Sequence, residues 1–215
     1  MTTGRTSRTR TYRGENREVR HGRRRAQLLD AAKAVFGDHG FRAAKVRQIC
    51  AEAGLTERYF YQSFENPAAL FEAVYDRELE VLKQRLDAVI ASGPSDPAAM
   101  AHALIKAYYS LLRADPRLAR ILVIEVYGTA SNMGKLYRRG IRPFANTVGK
   151  VLAKGMDLSV DSRLDAELLA TALIGAASHL AMRWYLGGYR EPEATVVANC
   201  YAVFSALIRK VSTAK

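Results

Sequence analysis

Residues 24 to 71 read RRAQLLDAAKAVFGDHGFRAAKVRQICAEAGLTERYFYQSFENPAALF. Leu28, Leu29, Ala32, Val35 and Phe36 recur at the three- and four-residue spacing of one helical stripe, closed by Gly37 to Gly40. A short helix follows over 46–53, with Val46, Ile49 and Ala53 on its apolar side. Gly54 then supplies a left-handed turn that side-chain-bearing residues resist. Leu55 is placed to enter the core, and Thr56 is a good N-cap for a third helix. In that helix Phe60 and Phe64 stand four apart and face inward. Glu57, Arg58, Tyr59, Tyr61 and Gln62 are left on outward or flanking faces. A helix, a short helix, a glycine turn and a polar, aromatic helix make a helix-turn-helix.

Outside this stretch the chain keeps the helical period. Strand signals are nearly absent, and no internal repeat is visible. Asn66-Pro67, Asp96-Pro97 and Asp115-Pro116 each pair a capping side chain with a proline at the first helical position, where its missing N–H costs nothing. Glu191-Pro192 is a weaker version. These marks predict helices near 25–39, 46–53, 57–64, 67–91, 97–113, 116–127, 131–155, 162–186 and 192–211, an all-α chain of about nine helices. Pro143 is expected to kink or break the seventh.

Composition bounds the function. The chain has 215 residues, 49% of them hydrophobic, enough for a sizeable core in one or two domains. No apolar run approaches the roughly 20 residues of a membrane span, and no apolar segment follows the basic N-terminus as a secretory signal requires. Cys50 and Cys200 form neither a disulfide framework nor a zinc spacing, which suits a reducing cytoplasm. The net charge is +12, and residues 1–25 supply +7 of it, with nine arginines against Glu15 and Glu18. A basic balance favours a polyanionic partner, nucleic acid before membrane surface; a solvated tail is the bland alternative. Arginine suits phosphate forks and narrow minor grooves better than mere solubility. The arm has no interleaved apolar face with which to enter lipid. There is also no metal-ligand spacing, phosphate-cradling glycine loop or nucleophile with a base, so the residues support neither an enzyme, nor a metal, nor a cofactor.

The stretch from Gly40 to Phe71 resembles the DNA-binding domain of TetR-type transcriptional regulators. The matching features are Gly40-Phe41, Val46, Ile49, Ala53-Gly54-Leu55, Phe60-Tyr61, Phe64 and Leu70-Phe71. The resemblance implies a three-helix DNA-binding head over 25–71 and a larger helical domain over 72–215 for ligand binding and dimerisation, which leaves the arginine-rich residues 1–24 as an N-terminal arm. It implies a homodimeric repressor that binds a palindromic operator and is released by a small, largely apolar effector, with an activator or a ligand-independent regulator as the alternative. By position, Arg47 reaches a base from the second helix, and Glu57, Arg58, Tyr59 and Gln62 fall in the base-reading part of the third. Tyr61 matches a phosphate-touching tyrosine; Thr56 and Lys45 join the DNA-facing set. The chemistry agrees: arginine pairs with guanine, glutamine with adenine, and a carboxylate accepts from cytosine. The chain departs from the family at Ala44 and Lys45, where Ser or Thr is common, and at Glu65 and Pro67, where phosphate contacts are expected. Arg23, Arg24 and Arg25, with the arm from Arg17, are expected to replace those contacts on the backbone or in a minor groove.

The later helices carry the remaining candidates. Ala172, Gly175 and Ala176 allow close helix approach, and Val196, Cys200, Val203, Phe204 and Leu207 follow on the last helix. By resemblance these two helices form the dimer interface, with packing inside one protomer as the alternative. Cys200 either meets its symmetry mate or is a buried, inert thiol. His102, Tyr108, Tyr109, Glu125, Met156, His179, Met182 and Trp184 mix polar groups with large apolar ones, as in an apolar pocket with a few orienting groups. Their alternative is ordinary core. Glu125, inside IleLeuValIleGluValTyr, is expected to meet a ligand, pair with an arginine, or face solvent.

Overall fold

Helix α1 (Thr9–His39) is the longest element and sets the frame. The apolar spacing predicts a start at 25; the helix begins at Thr9 instead. Residues 9–24 have no apolar stripe to announce them, yet arginine is a good helix former and no proline interrupts the run. The structure, a computed structural model, describes residues 9–126, 139–149 and 165–212, with side chains over 17–126, 139–149 and 165–206. Among the described residues every regular element is helical: nine α-helices and one π-helical turn.

The head comprises the C-terminal half of α1 with α2 (Val46–Glu52) and α3 (Glu57–Ser63). Gly40 ends α1 at φ +85°, and its N–H donates to Phe36 O at 2.9 Å, a left-handed cap. Gly54 turns the chain between α2 and α3 at φ +64°. Leu28, Ala32, Phe36, Ile49, Phe60 and Leu70 are all buried at its centre. The rings of Phe36, Phe41 and Phe71 lie 5.0 to 5.7 Å apart and close the base of the head against the next helix.

The body begins with α4 (Pro67–Ser92) and α5 (Pro97–Ala114). It continues through α6 (Pro116–Arg120) and a π-helical turn, Ile121–Glu125, where a regular helix is predicted. Helix α7 spans 139–149 and runs through Pro143 without a break. Helices α8 (Ala166–Leu186) and α9 (Glu193–Ser212) complete it. The caps at Asn66, Asp96 and Asp115 each accept from the amide three residues on, at 2.7 to 2.9 Å, and Asp165 does the same for α8. Helix α5 packs on α4 and α9, and α1 packs on α6. Contact is so close that a Cβ on Gly37 would stand 2.5 Å from Arg117 Cβ.

Candidate nucleic-acid interface and effector cavity

Short helices expose what they do not bury. In α2, Ile49 and Cys50 face the core, so Arg47 and the preceding Lys45 are turned to solvent. In α3 only Phe60 is buried; Glu57, Arg58, Tyr61 and Gln62 are exposed, Tyr61 by 59%. Thr56 occupies the N-cap position, but its side chain makes no capping hydrogen bond, contrary to expectation. Lys45 likewise starts α2 without a side-chain cap, as Ala44 and Lys45 foretell. Burial pushes the Cys50 thiol up, with a smaller push from Glu57, so it stays protonated.

The extended part of α1 meets this surface. The Arg24 guanidinium lies 4.0 Å from the centre of the Tyr59 ring, and Arg25 lies 5.0 Å from that of Phe64. His21 Nε2 faces Gln62 O at 3.4 Å. Tyr59 is therefore half-buried under an arginine rather than fully presented. Arg23 and Arg25 remain exposed. His21 carries no signal in the sequence, because its partner is 41 positions away.

The body encloses a cavity of about 710 Å³ between α4, α5, α7, α8, α9 and the π-helical turn. Its wall is mostly apolar, including Leu79, Leu86, Ile105, Phe144, Ile174 and Phe204, with Tyr108, Thr147 and Ser178 as uncharged polar groups. Asp76, Glu80, Lys83, Asp87 and Arg139 bring charge to it. Arg139 Nη1 pairs with Asp76 at 3.0 Å and Glu72 at 3.3 Å, and Lys83 pairs with Asp87 at 2.9 Å. Burial raises the Asp76 carboxyl above its ordinary value, although Arg139 opposes it. The size suits a drug-sized or longer apolar molecule.

Of the expected pocket residues, Tyr108 lines this cavity. Tyr109 is fully buried beside it, its hydroxyl donating to Ala177 O at 2.9 Å. Trp184 is buried with its indole N–H donated to Glu191 O at 2.9 Å, and Met182 packs against the core. His102 and His179 are exposed; His102 stands edge-on to Tyr201. Met156 lies outside the described residues. Apart from Met156, helical spacing places each of these correctly on a helix but cannot say which neighbour covers it. The cavity-lining Leu79 and Leu86 read as ordinary core in the sequence for the same reason.

Glu125 is not in the cavity wall. It is buried at 9% exposure, with Oε1 accepting from Arg120 Nε and Oε2 from the backbone N–H of Phe41, both at 2.9 Å. Arg120 also donates to Asp38 O at 2.9 Å, and Arg117 grips the Asp38 carboxylate with two 2.8 Å bonds. The neighbours Leu122, Val123 and Val126 do line the cavity. One turn of chain thus has apolar side chains in the cavity and a carboxylate on the head.

On α8 and α9 the expected interface residues divide. Ala172, Gly175 and Ala176 are exposed, and Val203 is 53% exposed. Leu168 and Leu186 add apolar surface at 70% and 68% exposure. Val196, Cys200 and Phe204 are instead buried within the protomer, on the side of α9 that meets α5. Burial holds the Cys200 thiol above its ordinary value, a hydrogen bond with Tyr109 opposing, so it is an inert core group. The Leu207 side chain lies outside the described residues.

Comparison with known proteins places this geometry. The family described as bacterial regulatory proteins, tetR family, matches residues 28–74. The chain is 29% identical over 167 residues to the HTH-type transcriptional repressor KstR2 of Rhodococcus jostii, covering 77% of this chain and 81% of that protein. It is 24% identical over 161 residues to the HTH-type transcriptional activator FasR of Mycolicibacterium smegmatis, covering 75% and 72%. The fold is similar to that of the transcriptional regulator FadR from Bacillus subtilis in complex with stearoyl-CoA. There the TM-score is 0.69 at 17% identity, over 83% of this chain and 96% of that one.

Proposed function

We propose that this chain, a transcriptional regulator of the TetR family and not an enzyme, is a cytoplasmic repressor that holds a palindromic operator as a homodimer and releases it when an acyl-CoA fills the cavity. Arg47, Glu57, Arg58 and Gln62 are the base readers, exposed on α2 and α3. Lys45, Thr56 and Tyr61 position the head on phosphates. Tyr59 supports Arg24 from below. The outward faces of α8 and α9, with Ala172, Gly175, Ala176 and Val203, are the dimer contact, since two-fold symmetry is what a palindrome demands.

The observation that carries the reading is the turn Ile121–Glu125. Leu122, Val123 and Val126 feel whatever occupies the cavity, and Glu125 between them holds Phe41 at the entrance to the DNA-binding head. A ligand shifts an equilibrium only through its differential affinity for two states. An acyl chain pressing on those side chains favours the state in which Glu125 has left Phe41. A long acyl group suits the apolar wall, and a similar fold carries stearoyl-CoA. Repression is favoured over activation by the likeness to KstR2.

The test is operator selection from a random duplex library, followed by titration of the selected complex with stearoyl-CoA and with CoA alone. Selection of a palindrome, and release by stearoyl-CoA only, is expected. Selection of no sequence sinks the operator reading; release by neither compound, or equally by both, sinks the acyl effector. Sedimentation of the free protein as a monomer at the working concentration sinks the dimer.

A further inference from the structure

We infer that the N-terminal part of α1 is a second DNA-contacting element, a rigid helical stripe of arginines that lies on the phosphate backbone flanking the operator half-site. The inference rests on the operator reading above and adds to it where the protein grips and in what conformation.

Arg10, Arg13, Arg17, Arg20 and Arg24 are spaced three, four, three and four apart. On a helix that spacing is one stripe. Residues 9–24 are helical and continuous with the part of α1 that builds the head. The stripe has a fixed orientation, because its C-terminal end is tied to the recognition helix. Arg24 stacks on Tyr59, and His21, on the same side, faces Gln62 O. Arg17, Arg20 and Arg24 therefore continue the surface that exposes Arg58, Tyr61 and Gln62. Arg17 and Arg20 are exposed. Glu18 falls off the stripe by register, away from Arg17, Arg20 and Arg24.

Reach follows from geometry. Residues 9–24 extend about 24 Å at 1.5 Å per residue. That equals about seven phosphates of one strand at 3.4 Å each. This stripe supplies phosphate-contacting groups that the head lacks, since Glu65 and Pro67 stand where such contacts are expected. A helix of this width crosses the backbone or follows it; it does not thread a narrow minor groove, whose width is about 6 Å.

Gly22 makes the conformation testable. It lies mid-helix, off the stripe, with nothing within 4 Å of a Cβ built on it. Gly22→Ala favours the helix without adding a contact, and Gly22→Pro breaks it without removing a charge. Binding of the full-length protein is measured between 50 and 200 mM salt on the selected operator, with native flanks and with flanks trimmed to the half-sites. Arg17→Ala/Arg20→Ala is expected to flatten the slope of log K against log salt by about 3 to 4 for a dimer that loses four phosphate contacts. It should also abolish the penalty for trimming. Gly22→Pro should match that loss, and Gly22→Ala should bind at least as tightly as the wild type. An unchanged slope in Arg17→Ala/Arg20→Ala, with palindrome selection intact, overturns the inference and leaves the operator reading standing. A flattened slope there with none in Gly22→Pro overturns the helical form. A wild type that selects no sequence overturns the operator reading, and this inference with it.

Discussion

Glu125 Oε2 accepts the backbone N–H of Phe41 at 2.9 Å across 84 positions of the chain, joining the π-helical turn of the body to the first residue after the cap of α1. Apart from proline, no substitution at Phe41 removes that backbone donor, so Glu125 controls the contact. Glu125→Ala leaves the amide and the Arg120 guanidinium without this partner. An unsatisfied buried donor costs about 1–3 kcal/mol, which sets the expected loss of stability in urea. Operator affinity should fall, and the added effect of stearoyl-CoA should shrink toward nothing, because the contact it acts on is already gone. Glu125→Gln keeps an acceptor for Phe41 but no charge for Arg120, and should fall between. Anisotropy titrations of labelled operator check this; a full effector response in Glu125→Ala would refute the coupling.

Gly40 makes room for that contact. Its φ of +85° disfavours any side chain, and a Cβ there would stand 2.7 Å from Arg120 Nη2 and 2.8 Å from Glu125 Oε1. Gly54 has a similar φ of +64° with nothing within 4 Å. Gly54→Ala should therefore cost only the left-handed backbone, about 1–2 kcal/mol. Gly40→Ala should cost about 1–3 kcal/mol more, for the disturbed ion pair and amide. Urea midpoints at constant slope measure both. Equal losses at the two glycines would show that the Arg120–Glu125 pair adjusts without strain.

What was legible in the sequence follows the range of the forces involved. The caps at Asn66, Asp96 and Asp115 act over three residues, and the structure places them where Asx-Pro predicts. The head was legible because Gly54, Phe60 and Phe64 specify one another within ten positions. The role of Glu125 was not, because Phe41 and Arg120 come to it through the packing of α1 on α6. Pairing with an arginine stood among its alternatives; the amide did not. Val196, Cys200 and Phe204 share a helix with Val203, yet only the placement of α5 decides which side is interior. The start of α1 escaped because arginines carry no apolar period, although the same arginines carry a period of their own.

A second link between head and body titrates. Lys33 Nζ donates to Glu78 at 2.8 Å and to Asp115 at 2.6 Å, and Glu78 is 1% exposed. Burial works against the charge on Lys33, but its bonds to Asp115 and Glu78 win and raise its pKa. Burial likewise opposes the charge on Asp115, and the Lys33 hydrogen bond wins and lowers its pKa. Asp115 thus contributes stability that is present above its unfolded value of about 3.9 and is lost as pH falls through its lower folded value. Lys33 contributes stability present below its unfolded value of about 10.4 and lost as pH rises through its higher folded value. Lys33→Met should lower stability at pH 7 by about 3 kcal/mol, because Glu78 keeps only Arg77. It should also make the acid limb of the melting profile less steep. Thermal melts from pH 3 to 10 test both; an unchanged acid limb would show that Asp115 is held without Lys33.

The DNA-facing residues should separate by what they contact. Arg47 and Gln62 are exposed on different helices of the head, so each is expected to address its own base pair. Arg47→Ala or Gln62→Ala should cost about 1–3 kcal/mol on the selected operator and relax preference at one position per half-site, with the salt slope nearly unchanged for Gln62→Ala. Lys45→Ala should weaken all sequences alike and flatten the slope by about 0.9 per protomer. Tyr61→Phe should also act on all sequences alike, but without altering the slope, since a hydroxyl releases no counterion. Gln62 has a second duty, because its carbonyl faces His21, and alanine keeps that carbonyl. Gln62→Ala therefore removes base reading while leaving α1 seated. Loss of salt dependence together with loss of base preference in Gln62→Ala would mean that its side chain, and not its backbone, positions the arginine stripe.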